Sequence, residues 1–236
     1  MENSLQQMPY FKIKMEKNRS LPLFLILISS SLTLIAQNNW GPTRFQKEVD
    51  AIIAKYENTE MSDQAPIVFT GSSSIRFWRN VSELNTSETI LNTGFGGSTA
   101  LDLIHYIEPL VLKYNPKQVF VYEGDNDLAI GRSVAKSKRH LKKVFRLIRK
   151  HNKNTKIVFI AAKPSIARWN LRSKFLKLNG KIEKMARSRV NLSFADVDTP
   201  MLVEGEINKT IFIDDGLHMN AKGYEIWSKV IRAFIN

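Results

Sequence analysis

The 236-residue chain has no cysteine, which excludes disulfides, a thiolate nucleophile and any Cys-ligated metal site. Acids are scarce beside bases: 22 Asp and Glu stand against 35 Lys and Arg, a formal charge of +13. Residues 1–36 hold four of those bases and two of the acids, so the remainder keeps 31 against 20 and stays at +11. Such a balance favours anionic partners, whether polysaccharide, membrane surface or nucleic acid, without selecting among them. A further shortage argues against nucleic acid. In the basic stretch from Lys136 to Lys150 the one Phe, Phe145, falls on the apolar face, and none is interleaved on the cationic faces to stack on bases, so a solvated helix surface is the better reading. Long apolar runs are missing too. Leu21 to Ile35 falls short of the roughly 20 residues of a membrane span and is softened by Ser29, Ser30 and Ser31. Repeats, low-complexity linkers and signs of a second domain are absent.

Around that apolar run the sequence reads as an export signal. Lys12, Lys14, Lys17 and Arg19 form a positive n-region, and Ala36-Gln37 offers a cut. Leu34 is a poor residue three places before the new end. Cleavage after Ser31, or an uncleaved anchor touching the membrane only through residues 21–36, are therefore alternatives. The expectation is a leader over residues 1–36 and a single α/β domain over 37–236, periplasmic or secreted. The 43% apolar content suits a globular core.

What is present alternates. Apolar residues at 45, 49, 52, 53 and 56 predict a helix. Strands follow at 67–69, 89–92, 118–122, 156–161 and 191–195. Helices fall at 101–114, 134–150, 169–189 (with Gly180 a weak point) and 221–235. Five strands alternating with helices predict a three-layer, doubly wound parallel sheet, and a flavodoxin-like order 2-1-3-4-5 is expected. In such sheets ligands bind outside the carboxyl ends of the strands. Polar clusters follow the strands at Ser72–Ser74, Gly94–Ser98, Glu123–Asp127, Lys163–Ser165 and Asp196–Asp198.

These clusters suggest chemistry, each with a plainer reading beside it. A serine on a strand-to-helix turn is a nucleophile or a helix cap. His218 stands three residues after Asp215, a spacing that lets the carboxylate fix the imidazole tautomer; a capping loop with an incidental histidine is the alternative. Gly97 lies in a glycine-rich loop whose last place is Thr99, so no dinucleotide fingerprint is complete. Asn126, between two aspartates, is an oxyanion donor or a turn cap. Asp125, Asp127, Asp214, Asp215 and His218 together allow a metal-dependent phosphoesterase, but that leaves the serines and glycines without a role.

GSSS at 71–74, NTGFGGS at 92–98, GDND at 124–127 and DGLH at 215–218 resemble, in order, the four blocks of the SGNH (GDSL-type) hydrolases. The resemblance covers nearly all of residues 66–235. It implies Ser73 as nucleophile, His218 as base and Asp215 as its partner. The Ser73 N–H, Gly97 and Asn126 would form the oxyanion hole, with no cofactor and no metal. Ser72 replaces the family's usual Asp, which leaves Ser72 and Ser74 as rival nucleophiles. Thr93 replaces a frequent Arg and implies a looser second loop. Such enzymes hydrolyse acetyl and acyl esters of sugars, lipids and thioesters. An O-acetyl ester on carbohydrate is the expected substrate. A lysophospholipase or thioesterase, or a non-catalytic carbohydrate-binding module on the same fold, are the alternatives. Arg76, Trp78, Lys163, Arg168 and Trp169 are expected along the cleft, with Trp78 and Trp169 as core residues the competing reading.

Overall fold

The computed structural model describes residues 41–57, 64–85 and 87–235. The expected leader over residues 1–36 lies outside them. The described residues fall into two units, 41–44 and 45–235; in the smaller, Arg44 Nη1 donates to the Gly41 carbonyl (2.9 Å).

The larger unit alternates strand and helix. Its elements begin with α1 (Gln46–Glu57), β1 (Ile67–Gly71), the single turn α2 (Ser73–Arg76), β2 (Ile90–Asn92), α3 (Ala100–Leu110) and β3 (Gln118–Tyr122). They continue with α4 (Asp125–Ala129), α5 (Val134–His151), β4 (Lys156–Ile160), α6 (Arg172–Arg187), β5 (Leu192–Ala195), a two-stranded hairpin of β6 (Leu202–Val203) and β7 (Glu206–Ile207), and α7 (Ala221–Arg232). The first five strands are parallel in the order β2-β1-β3-β4-β5, as expected from the alternation. Two features were not read from the sequence. Asp125–Ala129 is a short helix rather than a turn, and the long loop after β5 contains the β6–β7 hairpin.

Both sheet faces are buried, which is why the strands are continuous apolar runs rather than alternating ones. Val68, Val119, Val121, Ile157 and Phe159 face one core with residues of α1, α3, α5 and α6. Ile67, Phe69, Phe120, Tyr122, Val158 and Ile160 face the other, with Trp227 and Ile231 of α7. In α5, Leu141, Val144, Phe145 and Ile148 fall on one stripe and are buried. Ser133 caps its start by accepting from the Lys136 N–H (3.2 Å), an interaction typically worth about 1 kcal/mol. Lys136, Arg139, Lys142, Lys143, Arg146 and Lys150 on the other faces are exposed.

Gly180 does not interrupt α6. Phe175, Leu178 and Ile182 anchor that helix in the core, and the Asn179 amide bonds the Ala162 N–H and carbonyl (2.9 and 3.0 Å). Tertiary contacts outweigh the roughly 1 kcal/mol helix penalty of one glycine.

β1 ends at Gly71, with φ +124°. A Cβ there would run into the backbone of Tyr122 in the neighbouring strand. Only glycine lets the chain turn this close to β3. Gly71→Ala is therefore expected to destabilise the protein by about 3 kcal/mol or more, combining backbone strain with a steric clash. Urea unfolding midpoints measure this; an unchanged midpoint would contradict the account.

Candidate active site

The strand order brings the ends of β2, β1 and β3 side by side at one edge, and the first three sequence clusters hang from those ends. Ser73 opens α2 directly after β1, and its side chain is partly exposed. Ser72 and Ser74 are buried. Ser73 Oγ lies 2.9 Å from His218 Nε2, joining positions 145 residues apart. His218 Nδ1 in turn meets Asp215 Oδ2 at 2.5 Å. The other Asp215 oxygen accepts from the Leu217 and His218 N–H groups (2.8 and 2.9 Å). Slight burial of Asp215 opposes its charge, but the hydrogen bonds from His218 and Leu217 outweigh that and hold its carboxyl at about 2. Phe77 packs edge-on against the His218 ring, with centroids 4.9 Å apart. The Tyr224 hydroxyl donates to the Ser74 carbonyl (3.0 Å), tying α7 to the serine turn.

The second and third clusters are locked together. Glu123 accepts from the Ser98 hydroxyl (2.7 Å), Asn126 Nδ2 donates to the Ser98 carbonyl (2.8 Å), and Asp127 accepts from the Ala100 N–H (2.9 Å). Burial, then the neighbouring Asp127 charge, pushes the Glu123 carboxyl well up. Burial also raises Asp127, opposed by the Ala100 N–H and by Arg132. Gly97 sits at the exposed tip of the loop with φ +73°, a conformation that suits glycine. Thr93 does not leave this loop slack. Its N–H donates to the Phe69 carbonyl (2.8 Å), and Glu48 accepts from the Gly96 N–H (3.0 Å) while pairing with Arg76 (3.1 Å).

The five residues expected along the cleft separate. Trp78 is a correction: it is fully buried against Phe69, Tyr224 and Trp227, so its ring is core. Lys163 is another. It is 1% exposed, donates to the Leu217 carbonyl (2.5 Å), and so holds the His218 loop rather than facing a ligand. Arg76 pairs with Glu48 and borders a hollow of about 440 Å³ lined also by Ile52, Lys55 and Asn92. Arg168 is engaged by Asp125 and Asn126. Trp169 is half-buried, with the Arg172 guanidinium 5.8 Å from its ring centre. Phe77, whose ring touches His218, was not singled out in the sequence; its place just after the serine turn was the available signal.

Among the described residues no group of three or more acids or histidines is placed to hold a metal ion. Asp125 and Asp127 are instead paired with Arg168 and Arg132. The arrangement of hydroxyl, imidazole and carboxylate supports proton removal from Ser73.

Residues 39–226 match the sequence pattern of the GDSL-like lipase/acylhydrolase family. No curated protein matches the chain. Among solved structures, a Streptococcus pneumonia protein named for platelet activating factor superposes with a TM-score of 0.70 at 22% identity, covering 86% of this chain and 98% of its own. A GDSL-like lipase of Bacteroides thetaiotaomicron gives 0.65 at 19% identity, with 82% and 96% covered. A carbohydrate esterase family 3 protein of Talaromyces cellulolyticus gives 0.61 at 19% identity, with 72% and 96% covered. At these identities the likeness is one of fold.

Lys163 yields a pH prediction. Burial lowers its ammonium from 10.5 to about 8; Asp125 opposes the shift, Arg168 assists it and Asp215 opposes it. Between these two values the unfolded chain binds more protons than the folded one, so stability rises with pH across that window. The rise is on the order of 3 kcal/mol at about 1.4 kcal/mol per unit. Relative to Lys163→Met, the wild-type unfolding free energy should climb between pH 8 and 10.5; parallel profiles for the two proteins would refute it.

Proposed function

The chain belongs to the GDSL-like lipase/acylhydrolase family and is a carboxylic ester hydrolase, and from that premise we propose that it removes small acyl groups, O-acetyl above all, from carbohydrate through a Ser73–His218–Asp215 triad. The observation that carries this reading is the 2.9 Å contact between Ser73 Oγ and His218 Nε2, backed by Asp215 on the far ring nitrogen.

In the proposed cycle Asp215 accepts a hydrogen bond from Nδ1–H, which keeps that proton on Nδ1 and leaves Nε2 unprotonated to take the proton of Ser73. Its carboxyl, held at about 2, stays ionised throughout the working range. Ser73 Oγ attacks the ester carbonyl. The developing oxyanion is met by the N–H groups of Ser73 and Gly97 and by the Asn126 Nδ2 hydrogen that Ser98 does not use. His218 returns its proton to the departing alcohol. Water then attacks the acyl-enzyme by the same base, releasing the acid and restoring Ser73.

Small acyl groups are favoured by the openness of the site. Gly97 is exposed, and the Asp215 side chain retains 43% of its free surface. Half-buried Trp169 offers an aromatic surface suited to a sugar ring. The expected leader over residues 1–36, basic and then apolar, supports export, which would bring the enzyme to extracellular or periplasmic glycans.

A hydrolysis panel from acetyl to long-chain aryl esters, together with acetylated glycans, tests the substrate. Turnover should peak at acetyl; a maximum at long chains would favour a lipase or lysophospholipase instead. Ser73→Ala should cost about 10⁴-fold or more and abolish fluorophosphonate labelling, and Asn126→Ala about 10²- to 10³-fold. Ser72→Ala should keep activity, because Ser72 is buried; loss of labelling in that variant alone would reassign the nucleophile.

A further inference from the structure

The four sequence blocks leave out the connection from β4 to α6, yet this segment touches both halves of the site. Ile166–Leu171 is a 3-10 stretch whose backbone leaves helical geometry at Arg168 (φ −126°, ψ 24°). From there Arg168 Nη2 donates to Asn126 Oδ1 (2.8 Å) and Nη1 to Asp125 Oδ2 (3.0 Å). The opposite Asp125 oxygen accepts from the Asn126 N–H (2.8 Å), closing a ring of three residues. The Arg168 side chain is 18% exposed and that of Asp125 6%, so this is a sheltered ion pair. One residue earlier, the Ala167 N–H donates to the Gly216 carbonyl (3.0 Å), and Lys163 holds the carbonyl of Leu217.

An asparagine amide has one accepting and one donating end, and a guanidinium can only donate. Arg168 therefore requires Oδ1 on its side and turns Nδ2 away. The Ser98 carbonyl takes one Nδ2 hydrogen, and amide planarity then fixes the direction of the other. A charged donor on Oδ1 also draws electron density from the amide, which strengthens Nδ2–H as a donor. We propose that Arg168 is a positioning residue for the oxyanion hole: clamped by Asp125, it holds the Asn126 amide with Nδ2 presented to the reacting carbonyl. The proposal rests on the serine-esterase reading. It also replaces the expected role of Arg168 as a substrate contact, since its fork is already occupied by protein.

The test is steady-state kinetics on a neutral and an anionic acetate ester, with Ser73→Ala as the blank. Arg168→Met should lower kcat by about 10- to 100-fold on both esters and leave KM within about threefold. In an Asn126→Ala background the same change should cost less than about threefold, because no amide remains to orient. Should Arg168→Met fold poorly with Asp125 unpaired, Arg168→Lys keeps the charge but lacks the planar fork. It should fold normally and still lose about fivefold or more in kcat. Full kcat in these variants, or a loss of equal size in both backgrounds, overturns the positioning role. A rise in KM confined to the anionic ester would make Arg168 a substrate contact and overturn it as well. Turnover by Ser73→Ala would sink the underlying esterase reading, whatever the Arg168 variants do.

Discussion

A buried polar turn holds the site together. Residues 123–127 follow β3 into a nearly water-free edge of the sheet, where each polar group must find a protein partner or carry a desolvation cost of about 1–3 kcal/mol. Those partners lie on the loop after β2: Ser98 serves Glu123 and Asn126, and the Ala100 N–H serves Asp127. The need to satisfy buried groups thus becomes a positional constraint. The Gly97 loop cannot drift from Asn126 without breaking the Ser98 bonds to Glu123 and Asn126 and the Ala100 bond to Asp127. Networks of this kind specify one geometry because a half-satisfied version is worse than none.

The other half of the site is held by different means. The DGLH loop is anchored at its base by the Phe212–Met219 bridge and within by Asp215, which accepts two backbone N–H groups and the His218 ring. The histidine is then placed against Ser73 by packing on Phe77, while Tyr224 fixes the serine turn from α7. Behind both stands the aromatic core of Phe69, Trp78, Tyr224 and Trp227, each large ring contributing about 2–3 kcal/mol by burial. Trp78, for which a cleft reading and a core reading competed, supports the serine turn from beneath.

Charge is distributed unevenly, and the fold explains how that is tolerated. The cations of α5 lie on solvated faces, where their repulsion is weakened by water and salt. Cations drawn inward have specific partners: Arg172 grips Asp198 with both nitrogens (2.5 and 2.7 Å), Arg132 meets Asp127, and Arg168 meets Asp125. Three buried acids, Asp125, Asp127 and Asp198, are the partners of these inward-turned arginines.

The sequence by itself determined the sheet, its order and the four blocks. Parallel strands buried on both faces must be apolar runs, and helices between them must carry apolar residues at helical spacing; both periodicities are local and legible. It also determined that Ser73, Gly97, Asn126 and His218 would hang from strand ends or the last loop. Which of three serines meets the histidine was decided by tertiary structure, which buries Ser72 and Ser74 and leaves Ser73 2.9 Å from the ring of a histidine 145 positions away. The fates of Trp78, Lys163 and Arg168 were decided there too. A large or charged residue after a strand can face a cleft or turn inward with equal local propensity. The outcome depends on partners 40 to 150 positions away, which no local pattern records.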